Sequence, residues 1–131
     1  MSPRIIVLDQ DQSLHSNYRA WLEGEGFDVK CYPSLPDPRA VLLQRPSLIL
    51  LDYFVGTTSY GWIWLITLRT YAEEDIPVLV CTANNRSLQT YAQDLSDLQA
   101  QMLPKPFTSE ALIQAVHQHA AKLPSPSASV C

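Results

Sequence analysis

A run of apolar residues that ends in an acid, Leu48-Ile49-Leu50-Leu51-Asp52, constrains the fold of this chain more than any other stretch. The run does not alternate with polar residues, which is typical of a strand buried on both faces in a parallel sheet covered by helices. Open α/β sheets place their ligands at the carboxyl ends of the strands. Asp52 is therefore predicted to present its carboxylate at that edge.

Other strand-like runs end in polar residues in the same way. One leads to Asp9, another leads to Thr82, and Lys105 follows a third short apolar piece. Since the carboxyl ends of parallel strands share one edge, the side chains of Asp9, Asp52, Thr82 and Lys105 are predicted to meet there. The alternation of five strands with five helices predicts an α/β fold, a doubly wound five-stranded parallel sheet with right-handed crossovers.

The predicted elements follow from apolar periodicity and from capping or turn residues. Strands are predicted at 5–8, 27–32, 48–52, 78–82 and 101–103. Helices are predicted from an N-cap at Ser13 to about Glu25, over 39–44, from Gly61 to about Ala72, from a cap at Ser87 through Leu95, and from a cap at Ser109. In the first helix, a buried stripe is predicted at Leu14, Tyr18, Trp21 and Leu22.

Length and composition favour one globular domain. The chain has 131 residues, of which 47% are hydrophobic and 17% charged. We assign residues 1–123 to the domain and 124–131, which are rich in Ser and Pro, to a flexible C-terminal tail or linker stub. No apolar run approaches the roughly 20 residues that span a bilayer, and no targeting peptide is recognised at Met1, so a cytoplasmic location without membrane contact is expected.

The charge pattern argues against one class of partner. The formal net charge is −4, and the nine basic residues are scattered without a dense cluster. A nucleic-acid surface usually needs a basic patch, so nucleic acid is not an expected partner.

The predicted edge suits phosphoryl chemistry. Carboxylates at Asp9, Asp11 and Asp52 would repel one another and favour a hard divalent cation such as Mg²⁺. Asp52 has the chemistry of a nucleophile that forms an acyl phosphate, while the cation and Lys105 neutralise charge on the phosphoryl oxygens. The Thr82 hydroxyl can hydrogen-bond the same oxygens.

Four motifs in matching order and spacing make the chain resemble the receiver domains of two-component response regulators. They are Ile-Val-Leu-Asp at 6–9, Pro-Ser-Leu-Ile-Leu-Leu-Asp at 46–52, Pro-Val-Leu-Val-Cys-Thr-Ala at 77–83 and Lys-Pro-Phe at 105–107. The resemblance covers the chain from Arg4 to about Lys122. It implies a flavodoxin-like (receiver) topology and a phosphoacceptor module, not an enzyme, in phosphorelay signal transduction.

The resemblance also implies roles for single residues and for partners. Asp52 would be the phosphoacceptor, with Thr82 as the switch hydroxyl and Lys105 as the phosphate-contacting lysine. The implied Mg²⁺ ligands are Asp9, Asp11, Asp52 and the backbone carbonyl of Phe54. A histidine kinase or histidine phosphotransfer protein would donate the phosphoryl group, and a homodimer would form through the predicted fourth helix, fifth strand and fifth helix.

Some positions depart from the family pattern. Gln10 replaces the second of two adjacent acids at the end of the first strand, which removes a negative charge and should weaken Mg²⁺ binding. In the loop after Asp52, Val55 and Gly56 replace a Met-Pro pair, and the expected glycine arrives one residue late as Gly61. Met102 occupies the aromatic switch position. These departures leave open an alternative, a receiver-like interaction module that works without phosphorylation (a pseudo-receiver).

A third hypothesis is a phosphatase, because Asp9-Gln10-Asp11 has the Asp-x-Asp form of haloacid dehalogenase-like hydrolases. In that case Asp9 would be the nucleophile and Asp11 the acid/base. The hypothesis is disfavoured because Gln12-Ser13 replaces the expected continuation and no acidic pair follows Lys105.

Overall fold

The computed structural model describes residues 3–9, 11–52, 58–72, 75–82, 100–104 and 107–120. Its elements in chain order are β1 (Arg4–Leu8), a 3-10 turn (Gln12–Leu14), α1 (His15–Glu23), β2 (Asp28–Tyr32), α2 (Pro38–Leu43), β3 (Leu48–Asp52), α3 (Thr58–Tyr71), β4 (Val78–Thr82), β5 (Ala100–Pro104) and α4 (Ser109–Ala120). The predicted fourth helix and the tail at 124–131 lie outside the described residues, so α4 corresponds to the fifth predicted helix.

The strands form one parallel sheet in the order β2-β1-β3-β4-β5. The central strand is β3, the apolar run that ends at Asp52. Parallel neighbours need a crossover connection, and α1, α2 and α3 each lie between strands along the chain. The predicted α/β fold with a doubly wound parallel sheet is confirmed.

Alternate residues of the inner strands face opposite layers of helices. In β3, Leu48 and Leu50 belong to a core shared with α1 and α4, whereas Ile49 and Leu51 belong to a core shared with α2 and α3. All four side chains are at most 2% exposed. Burial on both faces explains why this strand lacks a polar alternation.

The N-terminus of α1 is organised differently from the prediction. Asp11, not Ser13, is the capping residue: its Oδ1 accepts a hydrogen bond from the Ser13 backbone N–H over 3.0 Å, and the 3-10 turn precedes the α-helix. Both residue types favour this position. Asp11 is the capping residue because its backbone is extended, with φ −83° and ψ 97°, as a residue just before a helix requires.

Two further helix starts also differ from the sequence expectation. In α4 the capping hydroxyl belongs to Thr108, whose Oγ1 accepts from the backbone N–H of Ala111 over 3.0 Å, and Ser109 is the first helical residue. Helix α3 begins at Thr58, so Gly61 lies within the helix and does not start it. Glycine only weakens a helix, and Trp64, Leu65 and Leu68, which follow it, belong to the core that packs on the sheet.

The layer of α2 and α3 is tied to the connections beside it. The indole Nε1–H of Trp64 donates to the carbonyl oxygen of Pro36 over 2.6 Å, and Arg69 donates to the carbonyl oxygen of Ile76 over 2.7 Å. Burial lowers the pKa of Arg69 from its ordinary value. None of the helices in the described part of the chain has the length and apolar character that a bilayer crossing requires.

Candidate functional site

The candidate site begins with two acids that the strand register brings side by side. Leu8 of β1 pairs with Leu51 of β3, so Asp9 and Asp52 are the next residues along two adjacent parallel strands. Leu8 and Leu51 both face the α2 and α3 layer. Because side chains alternate along a strand, the following residues turn to the α1 side of the sheet. The prediction that Asp9 and Asp52 meet at this edge agrees with the register.

Asp9 is almost completely buried, with 1% of its surface exposed, and both of its carboxylate oxygens accept hydrogen bonds. The backbone N–H of Asp11 donates to Oδ1, and the Tyr18 hydroxyl donates to Oδ2, each over 2.9 Å. The main chain is held as well, because the Asp9 N–H donates to the Tyr32 carbonyl and His15 Nε2 lies 2.8 Å from the Asp9 carbonyl oxygen. Such bonds offset the cost of burying a carboxylate and fix its orientation.

The Tyr18 hydroxyl lies in a negative environment. Burial raises the pKa of Tyr18, and the neighbouring Cys81, Asp9 and Asp52 raise it further. The phenol therefore stays protonated at neutral pH and acts as a hydrogen-bond donor.

Asp11 uses its carboxylate at the start of the helical segment. Its Oδ1 accepts from the backbone N–H of Ser13 and from the Ser13 hydroxyl. The assignment of Asp11 as a metal ligand stays a prediction. The carboxylate of Asp11 also has a structural role, because it caps the helical segment.

Asp52 is the last residue of β3 and pairs with Cys81 of β4. Its side chain is partly exposed, unlike that of Asp9. Thr82 is the last residue of β4, one position beyond Cys81, and Pro104 of β5 pairs with it. Asp52 and Thr82 therefore lie at the carboxyl edge of the sheet, as predicted.

Several predicted features lie outside the described residues: Gln10, Val55, Gly56, Lys105 and the Phe54 carbonyl. Lys105 directly follows Pro104, the last residue of β5. Among the described residues, which exclude Gln10 and 53–57, no group of three or more His, Cys, Asp or Glu side chains is arranged to hold a metal ion. Met102 is half-buried and packs against the core on the α2 and α3 side.

The sequence prediction assigned Tyr18 to a buried helical stripe and missed its contact with Asp9. The residue is 3% exposed and packs in the core on the α1 side, as predicted, but its hydroxyl is part of the site. A signal was present in the sequence, because a tyrosine within an apolar stripe needs a hydrogen-bond partner when it is buried. The contact of His15 Nε2 with the Asp9 carbonyl oxygen was not predicted either.

The burial of Asp9 argues against the phosphatase hypothesis, in which Asp9 would be the nucleophile. A nucleophile must be reached by the phosphorus atom of its substrate, and a carboxylate with 1% exposure and two bonded oxygens does not meet that need. Asp52, which is partly exposed, is the more accessible of the two acids.

Comparison with known proteins agrees with the motifs. The chain is 29% identical over 114 residues to the response regulator MprA of Mycobacterium ulcerans, covering 86% of this chain and 48% of MprA. It is also 29% identical over 115 residues to the DNA-binding dual master transcriptional regulator RpaA of Synechocystis, covering 87% of this chain and 47% of RpaA. The chain thus spans about half the length of these curated relatives. No family model matches it.

Solved structures reproduce the fold. The signal receiver domain of a response regulator from Bermanella marisrubri superimposes with a TM-score of 0.77 at 23% identity, covering 91% of this chain and 98% of that one. Motifs, sheet order and sequence similarity agree: the chain has the fold of these receiver domains and is similar in sequence to response regulators. The predicted flavodoxin-like topology is confirmed.

Proposed function

We propose that this receiver domain accepts a phosphoryl group on Asp52 and passes on a signal within a phosphorelay. The observation that supports this most is the register of β1 and β3, which makes Asp9 and Asp52 neighbours at the carboxyl edge of the sheet. The donor would be the phosphohistidine of a histidine kinase or of a histidine phosphotransfer protein. The domain is then a signalling module that is itself modified, not an enzyme with a separate product.

The reaction is a substitution at phosphorus. A carboxylate oxygen of Asp52 attacks the phosphorus atom, a new P–O bond forms, and the P–N bond to the donor imidazole breaks so that the imidazole leaves with the electron pair. Asp52 is partly exposed, so a donor side chain can reach it. The product on Asp52 is an acyl phosphate.

The donor atoms at this edge fit Mg²⁺, which binds carboxylate and carbonyl oxygens. Asp9 and Asp52 supply two carboxylates on adjacent strands, and Asp11 and the Phe54 carbonyl are the further ligands that the family resemblance suggests. The cation, when bound, would neutralise charge on the phosphoryl oxygens. Gln10 contributes no charge, so we expect weaker Mg²⁺ binding than two adjacent acids would give.

Two further residues complete the proposed site. The hydroxyl of Thr82 and the ammonium of Lys105 would contact the phosphoryl oxygens, since each follows or ends a strand at the same edge. Their contacts would bias the face built by the predicted fourth helix, β5 and α4, which is the proposed homodimer surface. The proposed location is the cytoplasm, with no membrane or nucleic-acid partner for this domain.

Intact-protein mass spectrometry tests the proposal. The chain is incubated with a small-molecule phosphodonor and Mg²⁺, and the expected result is a gain of one phosphoryl group. The Asp52→Asn variant serves as the matched control, because it keeps size and hydrogen bonding but removes the nucleophile.

Two results would count against the proposal. Either the wild-type chain gains no phosphate, or it gains phosphate and the Asp52→Asn variant gains it equally. The first result, from a protein that remains folded, would favour the phosphorylation-independent interaction module instead.

A further inference from the structure

The residue that prompts a further inference is Tyr18, on α1. Its hydroxyl donates to Asp9 Oδ2 over 2.9 Å, and both side chains are buried, with exposures of 3% and 1%. A hydrogen bond to an ionised group is stronger than one between neutral groups, and burial strengthens it further. The bond therefore restrains one oxygen of the Asp9 carboxylate.

The position of the hydroxyl is itself fixed by packing of the phenol ring. The ring of Tyr18 meets the ring of Trp21 edge-on and that of Phe107 at a tilt of 39°, with centroid distances of 6.4 Å in both cases. Phe107 lies two residues beyond Lys105. The ring is thus held between its own helix and the segment that leads into α4.

The other oxygen of Asp9 is restrained from a different direction. The Asp11 backbone N–H donates to Oδ1 over 2.9 Å. Donors from α1 and from the turn after β1 therefore fix both oxygens, which leaves the carboxylate little freedom to rotate. A carboxylate oxygen has two lone pairs, so an oxygen that accepts a hydrogen bond can also bind a cation.

We propose that Tyr18 is a positioning residue for the cation site: its hydroxyl holds the Asp9 carboxylate in the orientation that binds Mg²⁺ beside Asp52. This inference rests on the proposed function, because it deepens the role of the same site. Hydrogen-bond partners behind a ligating carboxylate typically change metal affinity by about 10- to 100-fold when they are removed.

The test is a Mg²⁺ titration of the wild-type chain and of the Tyr18→Phe variant. The change in the NMR chemical shifts of the Asp9, Asp11 and Asp52 amides measures binding. Phenylalanine keeps the ring contacts with Trp21 and Phe107 and removes only the hydroxyl. The dissociation constant is expected to rise about tenfold in the variant. Thermal melts in EDTA check that the variant is folded.

Tyr32→Phe is the matched control. The Tyr32 hydroxyl accepts a hydrogen bond from Gln44 Nε2 over 2.8 Å, and its ring packs against the core on the opposite side of the sheet. This variant loses the same atom and keeps the Tyr32 backbone carbonyl that accepts from the Asp9 N–H. Its affinity for Mg²⁺ is expected to stay within about twofold of the wild-type value, against the tenfold change typical of a lost partner.

The outcomes separate this inference from the proposed function. Equal Mg²⁺ affinities in wild type and Tyr18→Phe would overturn the inference even if Asp52 accepts phosphate, and so would the absence of Mg²⁺-dependent shifts at Asp9 and Asp52 in the wild type. Conversely, a tenfold loss of affinity in a chain that gains no phosphate would support the role of Tyr18 and contradict the phosphorelay function.

Discussion

Asp9 and Asp52 end two neighbouring strands at the same level, yet their surroundings differ. Asp9 is 1% exposed and its carboxylate accepts hydrogen bonds from Tyr18 and from the Asp11 backbone. Asp52 is partly exposed at the end of the central strand. An identical residue type thus sits in a restrained environment in one strand and in an accessible one in the other.

This difference teaches how two acids at one edge can take separate tasks. A restrained carboxylate is suited to holding a cation in a defined place, because its orientation is set before the cation arrives. An accessible carboxylate is suited to meeting the phosphorus atom of a donor. The following predictions test whether Asp9 and Asp52 are divided in this way.

The largest effect is expected from exchanging the two acids for their amides. Asp52→Asn should abolish phosphoryl uptake, since the amide is not a nucleophile, whereas Asp9→Asn should slow uptake at least about tenfold at subsaturating Mg²⁺ and leave it detectable. Time courses of intact mass with a small phosphodonor measure both. Complete loss in Asp9→Asn with residual uptake in Asp52→Asn would reverse the assignment.

A smaller but substantial difference is expected in stability. Asp9→Ala leaves the buried Tyr18 hydroxyl and the Asp11 N–H without their acceptor, which should lower the free energy of unfolding by about 2 kcal/mol. Asp52→Ala removes a partly exposed side chain and should cost less than about 1 kcal/mol. Urea denaturation followed by circular dichroism gives both values, and similar losses would mean that the two environments are not energetically distinct.

Mg²⁺ itself should stabilise the folded chain. At a concentration tenfold above the dissociation constant, linkage predicts a gain of about 1.4 kcal/mol in the free energy of unfolding, since the cation binds only the folded state. The gain should vanish in EDTA and shrink in Asp9→Asn. Melts at constant ionic strength measure it, and an equal gain in wild type and Asp9→Asn would show that the cation acts elsewhere.

The smallest effect concerns the third acid, Asp11. Asp11→Ala removes the capping carboxylate that accepts from the Ser13 backbone N–H, and it should lower the free energy of unfolding by about 1 kcal/mol. Asp11→Asn keeps a good capping side chain and should change the free energy of unfolding by only a few tenths of a kcal/mol. We expect Asp11→Asn to leave Mg²⁺ affinity nearly unchanged. If the affinity falls as far as in Asp9→Asn, then Asp11 is a third ligand and the division of tasks involves three acids.

The sheet could be predicted from sequence because its inner strands are buried on both faces. An unbroken run such as Leu48–Leu51 has few alternatives, and the polar residue that ends it marks the edge of the sheet. The predicted stripe of α1 was also confirmed, with Tyr18 and Leu22 buried. Periodicity is enough to identify which side of a helix packs on the core.

The details of the site were less accessible from sequence. Asp11 and Ser13 both have capping chemistry, and only the backbone conformation at Asp11 decides between them. Periodicity placed Tyr18 in the core but carried no information on where its hydroxyl points, because that depends on the distance between α1 and the end of β1. Gly61 was predicted as a helix start, but it lies inside α3, where the packing of Trp64, Leu65 and Leu68 in the core outweighs the low helix propensity of glycine.

The strand order also has a consequence for how the chain assembles during synthesis. The first three strands to emerge, β1, β2 and β3, are already neighbours in the sheet, and β4 and β5 then add one after another to the same side. A ribosome that has released the first half of the chain has therefore supplied both β1, which leads to Asp9, and β3, which ends at Asp52. The acidic pair is available early, and the strands that lead to Thr82 and Lys105 arrive afterwards.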